Sequence, residues 1–251
     1  WEYYRTWYVP NNMTLMVIGD FSTSEMIELV KNKYGQYPAG QIPEHRTIKL
    51  NPPERLRIIK ANGMGKFPRD RRYLTMGYLL PPPVSDDFQP LVLLSEFLGG
   101  RDNSVLKTLF TQEQNKDLVI DIGTSVDFNS DFSTLQISAE LPINIDVEHV
   151  VELITQAVRD MKKNPVQSSE VQSTLIARAT HEIYLQESLH YYGMMKSGYL
   201  AAGGYAFLRD YMDGLMKVTP QSIQKAAAQY LSAQMPVVTL MSPSVEKTAG
   251  E

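Results

Sequence analysis

The chain has 251 residues, 43% of them hydrophobic, enough for one large core or one core plus part of another, and it does not read as disordered. Its 24 basic and 28 acidic residues leave a net charge of -4 dispersed along the chain, without a Lys/Arg stripe to neutralise phosphates, which argues against a nucleic-acid partner. The absence of cysteine excludes disulfides, thiolate catalysis and Cys-based zinc sites while leaving reducing and oxidising compartments both open, and no run approaches the roughly 18 apolar residues that a membrane span needs.

In chain order, Leu15 to Ile18 is a short apolar run closed by Gly19-Asp20, which predicts a strand buried on both faces. A helix follows, with Ser22 and Glu25 spaced as a capping box and a stripe of Met26, Leu29, Val30 and Tyr34. From Gln36 to Pro53 the prolines and absent periodicity predict an extended connection, and the domain boundary is placed here, giving units 1–53 and 54–251. Strands are expected at Leu56 to Lys60 and Arg72 to Leu80, the second stopped by three prolines. The next helix should start after Asp87, place Leu91, Leu94, Ser95 and Leu98 on its core face, and end at Gly99-Gly100, residues that tolerate positive φ. Ser104 should cap a shorter helix that turns Val105, Leu106 and Leu109 inward.

Val119 to Phe128 and Ser133 to Leu141 read as an antiparallel hairpin around Asn129-Ser130-Asp131, with alternation in the second strand that leaves one face wet. Asp146 should cap a helix whose apolar stripe runs Val147, Val150, Val151, Ile154, Ala157, Val158 and Met161. A long helix from Ser169 to about Ser188, two shorter ones at Tyr191 to Ala201 and Ala206 to Met216, a last one opened by Thr219-Pro220, and a final strand Val237 to Met241 complete the chain. Helices in blocks after strand pairs predict an α+β fold with a largely antiparallel sheet.

Two segments carry a resemblance. Trp7-Tyr8-Val9-Pro10-Asn11-Asn12-Met13 leading into Leu15 to Asp20, and Val218-Thr219-Pro220 before the last strand, are similar to the Tyr-x-Pro-x-Asn-Met segment and the Val-Thr-Pro helix start of the pitrilysin/insulinase (M16) family of zinc peptidases. The resemblance spans essentially the whole chain and implies the processing-peptidase-like (LuxS/MPP-like) metallohydrolase fold, with residues 1–53 as the strand-helix tail of a first half-domain plus linker and 54–251 as the second, non-catalytic half. It implies a zinc metalloendopeptidase whose two halves enclose a peptide, with the zinc in the preceding half-domain and a second family subunit as a further partner. A non-catalytic peptide-binding scaffold is the alternative, because the fold also serves as subunits without catalysis.

The family's zinc helix, His-x-x-Glu-His, lies before the Tyr-x-Pro segment, and the chain, which opens on Trp1, reads as an excised C-terminal portion beginning after it. No two of His45, His149, His181 and His190 have the i, i+4 spacing that puts two imidazoles on one helix face. His181 and His190 are nine residues apart and point about a right angle from each other at roughly 100° per residue, so His181, Glu182, Glu187 and His190 read as a helix face and not as a metal site. The group Tyr191, Tyr192, Met194, Met195 and Tyr199 reads as core packing. The turn Leu98 to Leu106 is similar to a family turn facing the cavity between the halves, which makes Arg101, Asp102 and Asn103 the candidate substrate contacts. Some relatives carry an Arg and a Tyr just after this turn to polarise the scissile carbonyl; the matching positions here fall near Phe110 or Thr111 and Asp117 or Leu118, and none can do that work.

Overall fold

The computed structural model describes residues 1–63 and 67–243. Its centre is a five-stranded sheet made of β1 (Arg57–Gly63), β2 (Arg71–Leu80), β3 (Asp121–Phe128), β4 (Ser133–Pro142) and β5 (Val237–Pro243), in the order β1-β5-β2-β4-β3. Only β1 and β5 run parallel; the other three pairings are antiparallel. The last described strand, β5, therefore lies inside the sheet, joined to β1 on one side and β2 on the other.

Strand alternation divides the sheet into two faces. On one, Leu74 pairs with Leu240 and Ala139, and Met76 with Val238 and Ile137, and all of these are buried. The other face carries the row Ile59, Thr239, Thr75, Ser138 and Gly123 across all five strands, each at least partly exposed. Helices cover only the first face, so the wet face expected for the Ser133 to Leu141 segment extends across the whole sheet.

The covering layer starts with α3 (Phe88–Ser95), which buries Phe88, Leu91 and Leu94 and runs on through a π-helical turn, Glu96–Gly100. Gly99 and Gly100 do not adopt positive φ; among the described residues only Gly204 does. Gly99 is needed instead for contact, because a Cβ there would lie 2.6 Å from Thr124 Cγ2 on β3. In α4 (Val105–Thr111), Leu106 is fully buried and Leu109 packs against the core, but Val105 is 39% exposed and points outward. Ser104 precedes this helix without capping it, its buried Oγ unpartnered.

The Asn129 carboxamide accepts from the Asp131 and Phe132 amides and closes the β3–β4 hairpin. Asp146 caps α5 (Val147–Asp160) by accepting from the Glu148 and His149 amides, and the helix buries Val147, Val150, Val151, Ile154 and Val158. Then come α6 (Ser168–Glu187) and α7 (Leu189–Leu215). The two short helices expected after Ser188 are the two segments of α7, which meet at Gly204, where φ is 74° and the helix is broken. In α8 (Pro220–Ala226) Thr219 and Ser222 form a reciprocal capping box. Tyr192 and Tyr199 are half-buried, but Tyr191, Met194 and Met195 are exposed, contrary to the core packing expected of them.

The first fifty residues are built differently. Neither α1 (Glu2–Trp7) nor α2 (Thr23–Tyr34) buries a residue. Ser22 bonds Ser24 instead of forming the expected capping box. Leu15 to Ile18 forms no strand: Leu15 is 58% exposed, and no backbone hydrogen bond joins residues 14–18 to another described residue. The apolar pattern is there, but no described strand pairs with it. No helix or strand lies between Tyr34 and Arg57. That stretch is tied at two points, by paired Asn11–Gly40 hydrogen bonds and by Asp131, which accepts from the Ile48 amide and meets His45 Nε2 at 2.8 Å.

Candidate functional site

The candidate contacts Arg101, Asp102 and Asn103 sit where the π-helical turn passes into α4, beside the edge strand β3. They do not behave alike. The Arg101 guanidinium lies 4.4 Å over the Phe97 ring and donates to Glu170 Oε1 at 2.6 Å and Thr174 Oγ1 at 3.3 Å, so it is held against α6. Asp102 is fully exposed and takes only a 3.3 Å contact from Lys107. Asn103 is exposed on the rim of a cavity of about 350 Å³ whose lining includes Phe97, Met161 and Val166. The turn therefore offers one fixed cation and two exposed polar side chains, of which Asp102 pairs with Lys107.

Arg101 is one end of a longer polar seam. Glu170, Thr174, Arg178 and Glu182 recur every four residues, which stacks them along one face of α6. Arg178 pairs with Glu96 on the π-helical turn, and Glu182 accepts from Lys196 of α7 at 2.6 Å. Lys196 is buried, with its ammonium 5.3 to 5.8 Å from the rings of Tyr192, Tyr199 and Tyr211. Burial pushes the Tyr211 hydroxyl well above its ordinary value, and neighbouring Tyr199 adds to this. The sequence reading missed this seam, although the four-residue spacing on α6 was a usable signal; the partners Glu96 and Lys196 are distant in sequence and carried none.

The described residues do not assemble a donor set that fits zinc. His149, His181 and His190 are exposed, His45 is engaged with Asp131, and among the described residues no group of three or more His, Asp or Glu side chains converges. At the positions where some relatives carry the Arg/Tyr pair, Phe110 is buried and Leu118 packs on the core, whereas Thr111 and Asp117 are exposed. No described helix is long and apolar enough to cross a membrane.

Comparison with known proteins agrees with this picture. Residues 1–177 match the family model described as the peptidase M16 inactive domain. Over 113 residues the chain is 29% identical to the Escherichia coli (strain K12) protein named "Probable zinc protease PqqL", a match covering 44% of this chain and 11% of that protein. Among solved structures, a protease from Helicobacter pylori superposes with a TM-score of 0.81 at 19% identity, covering 96% of this chain and 57% of that one. The peptidase M16 inactive domain from Pseudomonas fluorescens gives a TM-score of 0.69 at 16% identity, covering 90% of this chain and 53% of that one. The chain thus spans little more than half of these structures and about a ninth of the curated relative. The structural likenesses speak for the α+β fold, and the family model decides the family: this chain belongs to the peptidase M16 family of zinc proteases, as its inactive C-terminal domain.

Proposed function

We propose that this chain is the non-catalytic half of a zinc metalloendopeptidase, closing a chamber around peptide substrates while a preceding half-domain supplies zinc, its ligands and the general base. The observation that carries the reading is an internal repeat. Tyr8 and Met13 are five residues apart, as are Tyr230 and Met235; Tyr8 comes just after α1 and Tyr230 lies in the last helical turn before Met235, and two residues past each methionine begins a run, Leu15-Met16-Val17-Ile18 in one case and Val237-Val238-Thr239-Leu240 in the other. The second run is β5, an interior strand paired on both sides. The first has the same sequence frame and no backbone hydrogen bond to another described residue, which supports reading it as a strand whose sheet lies in a preceding half-domain. Residues 1–53 then belong to a preceding half-domain and its linker, and 54–251 to the half seen here.

Two such half-domains enclose a chamber between them. Within it we assign peptide contact to the turn of Arg101, Asp102 and Asn103. Asp102 and Asn103 reach the peptide, and Arg101 fixes the turn through Phe97 and Glu170. Because no zinc donor set converges among the described residues of this half, no chemical step is assigned to them.

Zinc content and cleavage of a quenched fluorescent peptide, measured on this chain and on the longer protein that contains it, test the reading. Zinc and cleavage confined to the longer protein are expected, with Asp102→Ala/Asn103→Ala raising KM there. A longer protein with neither points to a peptide-binding scaffold, and stoichiometric zinc on this chain alone overturns the assignment of its histidines.

A further inference from the structure

The cavity beside the turn of residues 101–103 has an apolar floor and a polar mouth. Phe97 of the π-helical turn and Met161 just past α5, both buried, form the floor, and the partly buried Ala157 and Val166 continue it. The wall is Val105, the first residue of α4, which turns outward at 39% exposure while its neighbour Leu106 is fully buried. Alone, an exposed valine needs no explanation. Here it completes a concave apolar surface enclosing about 350 Å³, room for one large side chain.

The charges around the mouth are paired with one another. Arg101 donates to Glu170 at 2.6 Å and lies over the Phe97 ring, and Asp160 accepts from Lys163 at 2.9 Å and from Gln156 at 2.7 Å. Lys163, and then Gln156, hold the Asp160 carboxyl below the ordinary aspartate range, so it is ionised and paired at neutral pH. Each charged residue of the lining is thus already partnered, and a charged guest would give up water for an apolar floor without gaining a counter-ion. Asn103 and Asn164, both exposed, are the uncharged polar residues of the rim, and a carboxamide offers a peptide bond both a donor and an acceptor. Because Glu170 and Thr174 hold Arg101 in place, this side of the mouth is formed before any ligand arrives.

We infer that this cavity is a specificity pocket for the peptide: it takes one bulky, uncharged apolar side chain, aromatic or long aliphatic, while Asn103 bonds the backbone beside it. This rests on the proposed peptide contact at the turn and adds which side chains that contact selects. Val105 is the residue that sets the selection, because it alone turns an apolar side chain outward from α4 into the cavity.

Methyl NMR of the longer protein with capped single amino acids tests the inference. N-acetyl-phenylalanine amide should shift the methyl resonances of Val105, Met161 and Val166 saturably, and the N-acetyl amides of aspartate and lysine should leave them in place. Val105→Asp puts a charge on the wall and should weaken binding of the phenylalanine amide, read at Met161, by roughly tenfold or more, with β2 and β4 resonances unchanged as the check on folding; Val105→Ile should retain binding. No shift with the phenylalanine amide, or equal shifts with the aspartate amide, would overturn the pocket, as would undiminished binding to Val105→Asp. None of these readouts depends on zinc or cleavage, so the pocket can fail while the peptidase reading stands, and a selective pocket in a longer protein without zinc or cleavage would support the pocket and sink the peptidase reading.

Discussion

Residues 57–243 and the first fifty residues contain apolar runs of the same kind and meet opposite fates. In the larger region Met76, Ile137 and Val238 pair across neighbouring strands and disappear beneath α3, α5 and α8. In the smaller one Leu15, Val17, Ile27 and Leu29 follow a strand and helix pattern just as regular and remain in solvent. Periodicity therefore states what a segment needs, and only the presence of partners decides whether it is met. A helix such as α2 that buries nothing gains its stability from elsewhere or has little of it.

The comparison is broken most severely by cutting into each region in turn. Phe88→Ala should destabilise the chain by about 3–5 kcal/mol in urea denaturation, because Phe88 is fully buried against Phe128 and Phe207. Leu29→Ala should change it by less than about 0.5 kcal/mol, and an equal loss at both sites would contradict the contrast. Next is the buried pair of α6 and α7. Lys196→Met leaves the Glu182 carboxylate without its cation and should cost about 3 kcal/mol, while Lys196→Met with Glu182→Leu recovers most of that.

Glycines sharpen the comparison on a smaller scale. Gly99→Ala drives a methyl into Thr124 and should cost about 1–3 kcal/mol. Gly198→Ala in α7 meets nothing within 4 Å and should be neutral or stabilising by up to about 1 kcal/mol; a penalty as large as that of Gly99→Ala would mean that α7 is packed more tightly there than described. The smallest effect concerns the linker. His45 beside Asp131, and then the Ile48 amide, hold the Asp131 carboxyl below the ordinary aspartate range. A depressed carboxylate pKa contributes stability above the unfolded value of roughly 4, lost as pH falls through the folded one. The Ile48 amide resonance should therefore move as the pH is taken below roughly 4, and Asp131→Asn should abolish that titration.

Much of the larger region was legible because its signals are local. Asp146 and Thr219 announce their helices by side chains that bond to the next few amides, and the alternation from Ser133 to Leu141 states which face is buried. Three kinds of feature were not. The π-helical turn Glu96–Gly100 inserts an extra residue that a regular period cannot show, and Gly99 is dictated by Thr124, which lies 25 positions away. The seam from Arg101 to Lys196 depends on how α6 crosses the molecule, so of the candidate site only the turn itself could be read; Arg101 being held by Glu170 could not. The Leu15–Ile18 run carries the apolar pattern of a strand but forms none, because no described strand pairs with it.

Amide exchange of residues 14–18 and 23–34, compared between this chain and the longer protein that contains it, tests the central claim most directly. The account predicts exchange close to the unstructured rate at residues 14–18 in this chain, and protection there comparable to β5 in the longer protein. Equal exchange in both would contradict it, because the run would then have no sheet waiting for it.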